Sequence, residues 1–302
     1  MYRPDRKVGL LTGADGPAFA IDQATLDDIG LEVVETNGAL PLQLPRRQVV
    51  VSESALEDTK TADRLASLAL GGLHVIRFAD YYERRQRRVL LDAVDERWFF
   101  FDTPLRARPA YSIFKSVTDL VAGLVGSLLV LLVIPFVWVA VRLDDGGPML
   151  FRQERVGLRG HTFDIWKFRT MHVDAEAAGP SWASAADERI TRVGRLLRLS
   201  RLDELPQFFN VIAGQMSLIG PRPERPVFVR TLGRAIAYYD RRHMTRPGIT
   251  GWATVRFGYG DSVNDKWRSH AYDLYYLKHR SIRLDLEILA RTAIVMLLRR
   301  GQ

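Results

Sequence analysis

The stretch from Leu120 to Val141 contains no charged residue and is built mostly from Leu, Val, Ala, Gly and Phe. Its length meets the roughly 20 residues that a helix needs to cross the hydrocarbon core of a bilayer. A helix buried in a water-soluble core is rarely apolar over such a length. Both flanks are basic: Arg106, Arg108 and Lys115 precede the run, and Arg142, Arg152, Arg155 and Arg159 follow it. The positive-inside rule assigns such flanks to the cytoplasmic side, and a helix that crosses cannot have both ends there. Pro135 lies well inside the run. An interior proline costs about 3 kcal/mol and bends or breaks a helix. Together these features predict a hairpin-like dip into one leaflet in preference to a true span.

The rest of the chain must suit such a segment. It has 302 residues, enough for two modest domains, and a formal net charge of +8 carried almost wholly by arginine. Arginine forks onto phosphate, so the charge points to anionic partners: nucleic acid, phospholipid or a nucleotide diphosphate. The arginines are spread along the chain without a nucleic-acid-binding module, so no nucleic-acid partner is expected. The absence of cysteine excludes disulfides and thiolate metal sites and fits a reducing compartment. No signal-peptide pattern follows Met1.

Residues 1–108 read as a small α/β domain. Val8–Leu11, Leu31–Glu35, Gln48–Val51 and His74–Phe78 are strand-like, and they alternate with helical stretches at Ile21–Ile29, Glu53–Leu70 and Asp80–Arg88. Strands alternating with helices predict a parallel, Rossmann-like sheet. Gly13-Ala-Asp-Gly16 does not match the dinucleotide fingerprint and reads as a turn, so no bound cofactor is expected there. Trp98–Phe101 reads as a strand.

Beyond the apolar run, Phe151–Thr170 alternates polar and apolar residues and predicts a hairpin turning at Arg159-Gly160. Lys167 and Arg169 would share one strand face, where a solvated edge is the common outcome. Val173–Ala186 reads as a loop. Arg189, Arg192, Arg195, Arg198 and Arg201 recur every third residue. That step drifts by about 60° on a helix, so the arginines wrap it and form no single stripe. Next come Asp203 and Glu204, then Pro206 and the apolar Phe208, Phe209, Val211 and Ile212. A helix from about Glu204 to Ala213, with Asp203 as its N-cap and Gly214 closing it, is predicted.

Taken alone, the Asp203–Glu204 dipeptide is ordinary capping chemistry. Among so many arginines both carboxylates are expected to be ionised. An ionised Asp can attack phosphorus, and an ionised pair can hold Mg²⁺ through oxygen. Two stiff turns follow. Ile219-Gly-Pro-Arg-Pro-Glu224 presents Arg222, with either X-Pro bond a candidate for cis, and Arg246-Pro-Gly-Ile-Thr-Gly-Trp252 presents Arg246. If the turns meet, two pre-set guanidinium groups could clamp phosphates. Asp273 lies among aromatics in Tyr272-Asp-Leu-Tyr-Tyr276, and Ile282–Arg300 reads as an apolar-rich helix for a membrane surface or a core.

In this order, the apolar segment with its central proline, Lys167-Phe-Arg-Thr-Met171, Leu202-Asp-Glu-Leu-Pro206, Gly220-Pro-Arg-Pro223, Arg246-Pro-Gly-Ile-Thr-Gly-Trp252 and Tyr272-Asp-Leu-Tyr-Tyr276 resemble the bacterial sugar transferase family. These are monotopic polyprenyl-phosphate phosphoglycosyl transferases. The resemblance covers about Tyr111 to Arg300. Glu224-Arg-Pro226 and the Phe257–Ser262 region look closest to members linked to exosortase-type exopolysaccharide systems.

The resemblance implies an α+β fold: a membrane-associated catalytic domain, 109–302, with a re-entrant helix at about 113–142, preceded by the Rossmann-like domain. It implies transfer of a sugar-1-phosphate from a UDP-sugar to undecaprenyl (polyprenyl) phosphate with release of UMP, initiating exopolysaccharide or O-antigen synthesis. By analogy Asp203 is the nucleophile that forms a covalent phosphosugar–aspartate, Glu204 assists it, and Mg²⁺, held by Asp203 and Glu204, neutralises the diphosphate. Lys167, Arg222, Arg246 and Asp273 fall on motif positions associated with substrate handling, and Pro135 is the membrane break. The implied place is the cytoplasmic face of the inner membrane, in contact with membrane lipid. The chain departs from the family in carrying Ile134-Pro135 where members often carry Ser-Pro. It also keeps the soluble domain without the preceding spans of larger members, which leaves regulation or formation of a homodimer as candidate roles for 1–108. The rival reading is a non-catalytic membrane scaffold that binds lipid or nucleotide, against which the intact Asp203–Glu204 pair argues.

Overall fold

The computed structural model describes residues 8–12, 23–35, 48–103, 109–177, 179, 187–258, 260 and 262–297. The expectations placed on Gly13–Gly16, Arg106, Arg108 and Arg299–Arg300 lie outside them. The chain divides into two compact units, Met1–Glu96 and Arg97–Gln302.

In the first unit, β1 (Val8–Thr12), β2 (Leu31–Glu35), β3 (Gln48–Val51) and β4 (His74–Arg77) form a parallel sheet in the order β2-β1-β3-β4. Continuous apolar strands need cover on both faces. Helices α1 (Gln23–Ile29), α2 (Glu53–Glu57), α3 (Thr59–Leu70) and α4 (Phe78–Gln86) supply it. One cluster packs Leu26, Ile29, Phe78 and Tyr81 against Leu10 and Val50, and another packs Ala55 and Leu65 against Leu11, Val49 and Val51. The single helix expected over Glu53–Leu70 is two, because Asp58 leaves the helical backbone to cap α3, accepting from Thr61 N at 3.2 Å and Thr61 Oγ1 at 2.6 Å.

Trp98–Phe101, expected as a strand, lies in one wide helical turn, Trp98–Asp102. A strand would send alternate side chains to opposite faces. Here the adjacent Trp98 and Phe99 are both buried, their rings 4.9 Å apart, while Phe100 and Phe101 are both exposed.

The second unit is built on α5 (Pro109–Asp144), 36 residues long. Helical backbone continues through Pro135 without interruption. A proline removes one hydrogen bond, and Val130, Val137 and Val141 on either side of it pack into one cluster with Phe168 and Leu197. One stripe of α5 is buried at Asp119, Gly123, Gly126, Val130, Val137 and Val141. Its other face leaves Leu120, Leu124, Leu128, Leu131, Leu132 and Phe136 exposed.

Both ends of α5 are tied to the folded unit. At the start, Tyr111 donates to Asp285 at 3.0 Å, and Lys115 lies 3.5 Å from Asp119 and 3.6 Å from Asp285. Asp119 accepts from the Leu218 N–H at 2.9 Å. At the finish, Asp144 accepts from the Val193 N–H at 3.0 Å and Asp145 pairs with Arg169.

The expected hairpin is present. Strands β5 (Leu150–Val156) and β6 (Thr162–Phe168) pair antiparallel, with Phe151 opposite Lys167, and the turn uses positive φ at Arg159 and Gly160. There follow α6 (Arg192–Leu199), α7 (Gln207–Ile212), β7 (Ser217–Ile219), α8 (Pro226–Ala235), β8 (Gly248–Thr250), α9 (Trp252–Arg256), α10 (Val263–His279) and α11 (Ile282–Leu297). Helix α11 packs Leu284 and Ile288 in the core of the unit and leaves Leu286, Ile294 and Met296 exposed.

Candidate active site

Asp203 is not an N-cap. Arg201 turns the chain in the left-handed region at φ 60°, Leu202–Glu204 forms a single 3₁₀ turn, and α7 starts only after Pro206. The pyrrolidine ring sets the helical φ and carries no N–H to be capped, so neither acid is spent on capping. The predicted C-terminus is as expected, with Gly214 at φ 71° after Ala213. Apolar neighbours Leu202, Leu205 and Phe209 anchor the turn in the cluster around Val130 and Phe168.

The two carboxylates are both buried, but their surroundings differ. Glu204 Oε1 accepts from Lys167 Nζ at 3.1 Å and from Arg222 at 2.6 Å. Burial alone would raise the Glu204 carboxyl; the charges of Arg222 and Lys167 and the Arg222 hydrogen bond outweigh it and hold the group below the usual range. Asp203 Oδ1 is buried and has no hydrogen-bond partner among the described residues. Burial lifts the Asp203 carboxyl above its ordinary value; Lys167 opposes this and the charge of Glu204 adds to it. One acid is therefore a fixed anion, and the other is a poorly solvated oxygen held in reserve.

Lys167 does not lie on a solvated edge, since β6 carries it to Glu204. Arg169, expected on the same face, pairs with Asp145 instead. Asn210 on α7 locks the helix to β6: Oδ1 accepts from Trp166 N at 3.1 Å and Nδ2 donates to Asp164 O at 2.7 Å.

The two stiff turns do meet. Gly248 N donates to Pro221 O at 2.9 Å, and Gly220 N donates to Thr250 O at 2.9 Å. A Cβ on Gly220 would lie 2.3 Å from Arg246 O, so only glycine permits the approach. No peptide bond among the described residues is cis. Arg222 reaches Glu204, whereas Arg246 is exposed, and the turn brings only its backbone to Gly220. Asp273 is buried and pairs with Arg242 at 2.7 Å, and Arg242 also donates to Arg222 O at 2.8 Å and to the Tyr239 hydroxyl at 2.7 Å. Asp273 thus stands behind Arg222 and makes no contact with the carboxylate pair. An open cavity, lined in part by Arg222, Arg242, Lys266 and Asp273, adjoins the pair across Arg222.

A family model described as bacterial sugar transferase matches residues 110–299. The chain belongs to the bacterial sugar transferase family. The UDP-N-acetylgalactosamine-undecaprenyl-phosphate N-acetylgalactosaminephosphotransferase of Aeromonas hydrophila is 39% identical over 228 residues, 76% of this chain and 53% of its own length. The UDP-glucose:undecaprenyl-phosphate glucose-1-phosphate transferase of Klebsiella pneumoniae is 40% identical over 197 residues, 64% of this chain and 41% of its own length. A protein of the same printed name from Caulobacter vibrioides is 40% identical over 187 residues, 61% of this chain and 70% of its own length. The chain spans about half the length of the first two of these relatives.

Within this bacterial sugar transferase, sequence reasoning gave no role to two arginines. Arg242 was invisible because its partners, Asp273, Tyr239 and the Arg222 carbonyl, converge only in the fold. Arg198 was one of five regularly spaced arginines, yet it is one of the cations whose charge acts on Asp203, and its Nε donates to Thr170 at 2.9 Å.

Proposed function

We propose that the protein transfers a sugar-1-phosphate from a UDP-sugar to undecaprenyl phosphate, with Asp203 as the nucleophile. The observation that carries this reading is the division of labour in the pair: Glu204 is committed to Lys167 and Arg222, while Asp203 Oδ1 is buried with no partner. A weakly solvated carboxylate oxygen with a raised pKa is the better nucleophile of the two. Its attack on the β-phosphorus forms an Asp203–O–P bond and breaks the bridging P–O bond, and UMP leaves with the electron pair. An oxygen of the polyprenyl phosphate then attacks the same phosphorus and the Asp203–P bond breaks, giving the polyprenyl diphosphate sugar. Phosphoryl transfer asks a protein mainly for positioning and neutralisation of oxygen charge. Lys167, Arg222 and Arg198 are the cations placed for it, and Arg246 is a further donor for an exposed phosphate.

The donor set fits Mg²⁺: two hard carboxylates, one with an unpartnered buried oxygen, are what the ion takes from protein when substrate phosphates supply the remainder. Asp203 and Glu204 would be its protein ligands; among the described residues no group of three or more acidic, His or Cys side chains is placed to hold a metal ion. When bound, the ion would neutralise charge on the diphosphate.

The placement belongs to the cytoplasmic face of the inner membrane, with α5 re-entrant. What supports it is that the first and last turns of α5 are tied to one folded unit while the face between them is apolar and exposed. Ends fixed to one body do not separate across a bilayer. Helix α7, which follows the carboxylates directly, packs on α5, and this supports a site beside the apolar helix. The first unit, Met1–Glu96, would be an accessory domain of the initiating enzyme of exopolysaccharide or O-antigen synthesis. The direct test is UMP release from UDP-sugars by the membrane-reconstituted protein and by Asp203→Asn. Full activity in the variant would end the reading.

A further inference from the structure

Pro221 and Pro223 flank Arg222 and carry no N–H, so the turn that presents this arginine has few backbone donors of its own. It is held by its carbonyls instead. Pro221 O accepts from Gly248 N at 2.9 Å, and Glu224 O accepts from Val156 N at 2.9 Å. Between them, Arg222 O accepts from the Arg242 guanidinium at 2.8 Å and Pro223 O from the Arg155 guanidinium at 3.0 Å. The outer donors are backbone groups at the start of β8 and the end of β5. The inner two are side chains, one from β5 and one from the 3₁₀ segment Tyr239–Met244.

Both guanidinium groups are anchored where they meet the turn. Arg242 is buried and donates to Asp273 through Nε at 3.1 Å and Nη2 at 2.7 Å, and to the Tyr239 hydroxyl at 2.7 Å. Arg155 donates to Gln153 at 2.5 Å and lies 3.7 Å from Glu224 Oε2. The other oxygen of Glu224 takes the Lys266 ammonium at 2.5 Å. Taking a guanidinium out of water is costly, and a neutral N–H satisfies a carbonyl without that cost, as it does at Pro221 and Glu224. What the charged fork adds is rigidity, since one planar group holds its acceptors in a fixed relation. From the turn held in this way the Arg222 side chain reaches Glu204 at 2.6 Å.

We propose that Arg155 and Arg242 are positioning residues that aim Arg222 at the carboxylate pair, and that Asp273 serves the reaction through Arg242. The inference rests on the transfer reading, in which Arg222 neutralises phosphate oxygen beside Asp203. A group that must meet developing charge depends on placement, and a shift of about 1 Å can cost about a hundredfold in rate. Asp273 then needs no contact with substrate.

The test is a double-mutant cycle on the full-length protein in lipid, reading UMP release from UDP-glucose, UDP-galactose, UDP-N-acetylglucosamine and UDP-N-acetylgalactosamine. Arg242→Lys keeps a positive charge beside Asp273 but loses the planar fork, and Arg155→Lys does the same beside Glu224. Each is made alone and together with Arg222→Gln. The expected result is a fall in kcat/KM of about tenfold to a hundredfold for each lysine variant alone. In the Arg222→Gln background the same changes should cost at most about twofold more. Thermal melts identify any variant that has lost its fold. Should Arg242→Lys not fold, Arg155→Lys carries the cycle, because Lys266 still pairs with Glu224. Equal losses in both backgrounds would make the two arginines props of the fold and overturn the inference. Wild-type kcat/KM in the folded lysine variants, or in Arg222→Gln, would overturn it as well. A wild-type protein that releases UMP from none of the four donors would instead bring down the transfer reading, and the positioning role with it.

Discussion

The opposite shifts of Asp203 and Glu204 make separate predictions for stability and for activity. The Glu204 carboxyl is depressed in the folded state, so its contribution to stability is present above the unfolded value and is lost as pH falls through the folded one. Glu204→Gln should therefore lower Tm at neutral pH and flatten the acid limb of a Tm–pH profile, because Lys167 and Arg222 lose their shared partner. For Asp203 the sign reverses. Burial, reinforced by the charge of Glu204, raises it in the folded state, so folding is favoured while the group is protonated and loses that stabilisation as pH rises through the folded value. Asp203→Asn should raise Tm at neutral pH while reducing turnover by more than about a thousandfold, a trade of stability against function that a merely structural acid would not give. Thermal melts from pH 2 to pH 8 beside UMP-release assays check both. In the sequence the two acids were visible as a pair, but the roles could not be separated there. The partners that distinguish them come from β6, at Lys167, and from the turn at Arg222, and no local pattern encodes that meeting.

At the scale of elements, the union of α5 with α7 depends on small residues. A Cβ on Gly126 would come within 2.2 Å of the Phe208 ring, whereas one on Gly123 would meet Ile212 Cγ1 at 2.9 Å. Gly126→Ala should therefore cost more activity than Gly123→Ala, because an aromatic ring four residues past Glu204 must move and the 3₁₀ turn moves with it. Parallel turnover and Tm measurements on the two variants check the order. Asn210→Ala should destabilise by about 1–3 kcal/mol in denaturant melts, since it leaves the Trp166 N–H and the Asp164 carbonyl without their partner. Elements with strong local signals were legible from sequence. The hairpin announced itself by alternation and by Arg159-Gly160, and the strands of the first unit by apolar runs. Trp98–Phe101 was misread because aromatic content suggests strand, while the burial of two adjacent rings demands a helical turn. The start of α7 was misplaced because Asp before Pro resembles a cap, and Pro206 took the position itself.

For the whole molecule, the apolar run predicted the membrane element, and the structure adds which face is available. Leu124 and Leu128 are exposed on α5, whereas Val130 and Val141 are buried. Leu124→Glu with Leu128→Glu should release the protein from membranes in flotation assays while leaving its far-UV circular dichroism in detergent unchanged. Val130→Glu should instead unfold the unit, since a charge there has no partner and no water. What composition could not supply was the tethering of both ends of α5, through Tyr111 and Lys115 at one end and Asp144 and Asp145 at the other. Basic flanks support the proposed re-entry by a different route, from charge alone.

The most direct trial of the account is mass spectrometry of the protein incubated with UDP-sugar in the absence of polyprenyl phosphate. A sugar-phosphate adduct on the peptide that contains Asp203, formed with one UMP released per adduct and discharged when polyprenyl phosphate is added, is the expected result. UMP release that occurs only when the lipid acceptor is present, with no adduct on that peptide at any time, would contradict it.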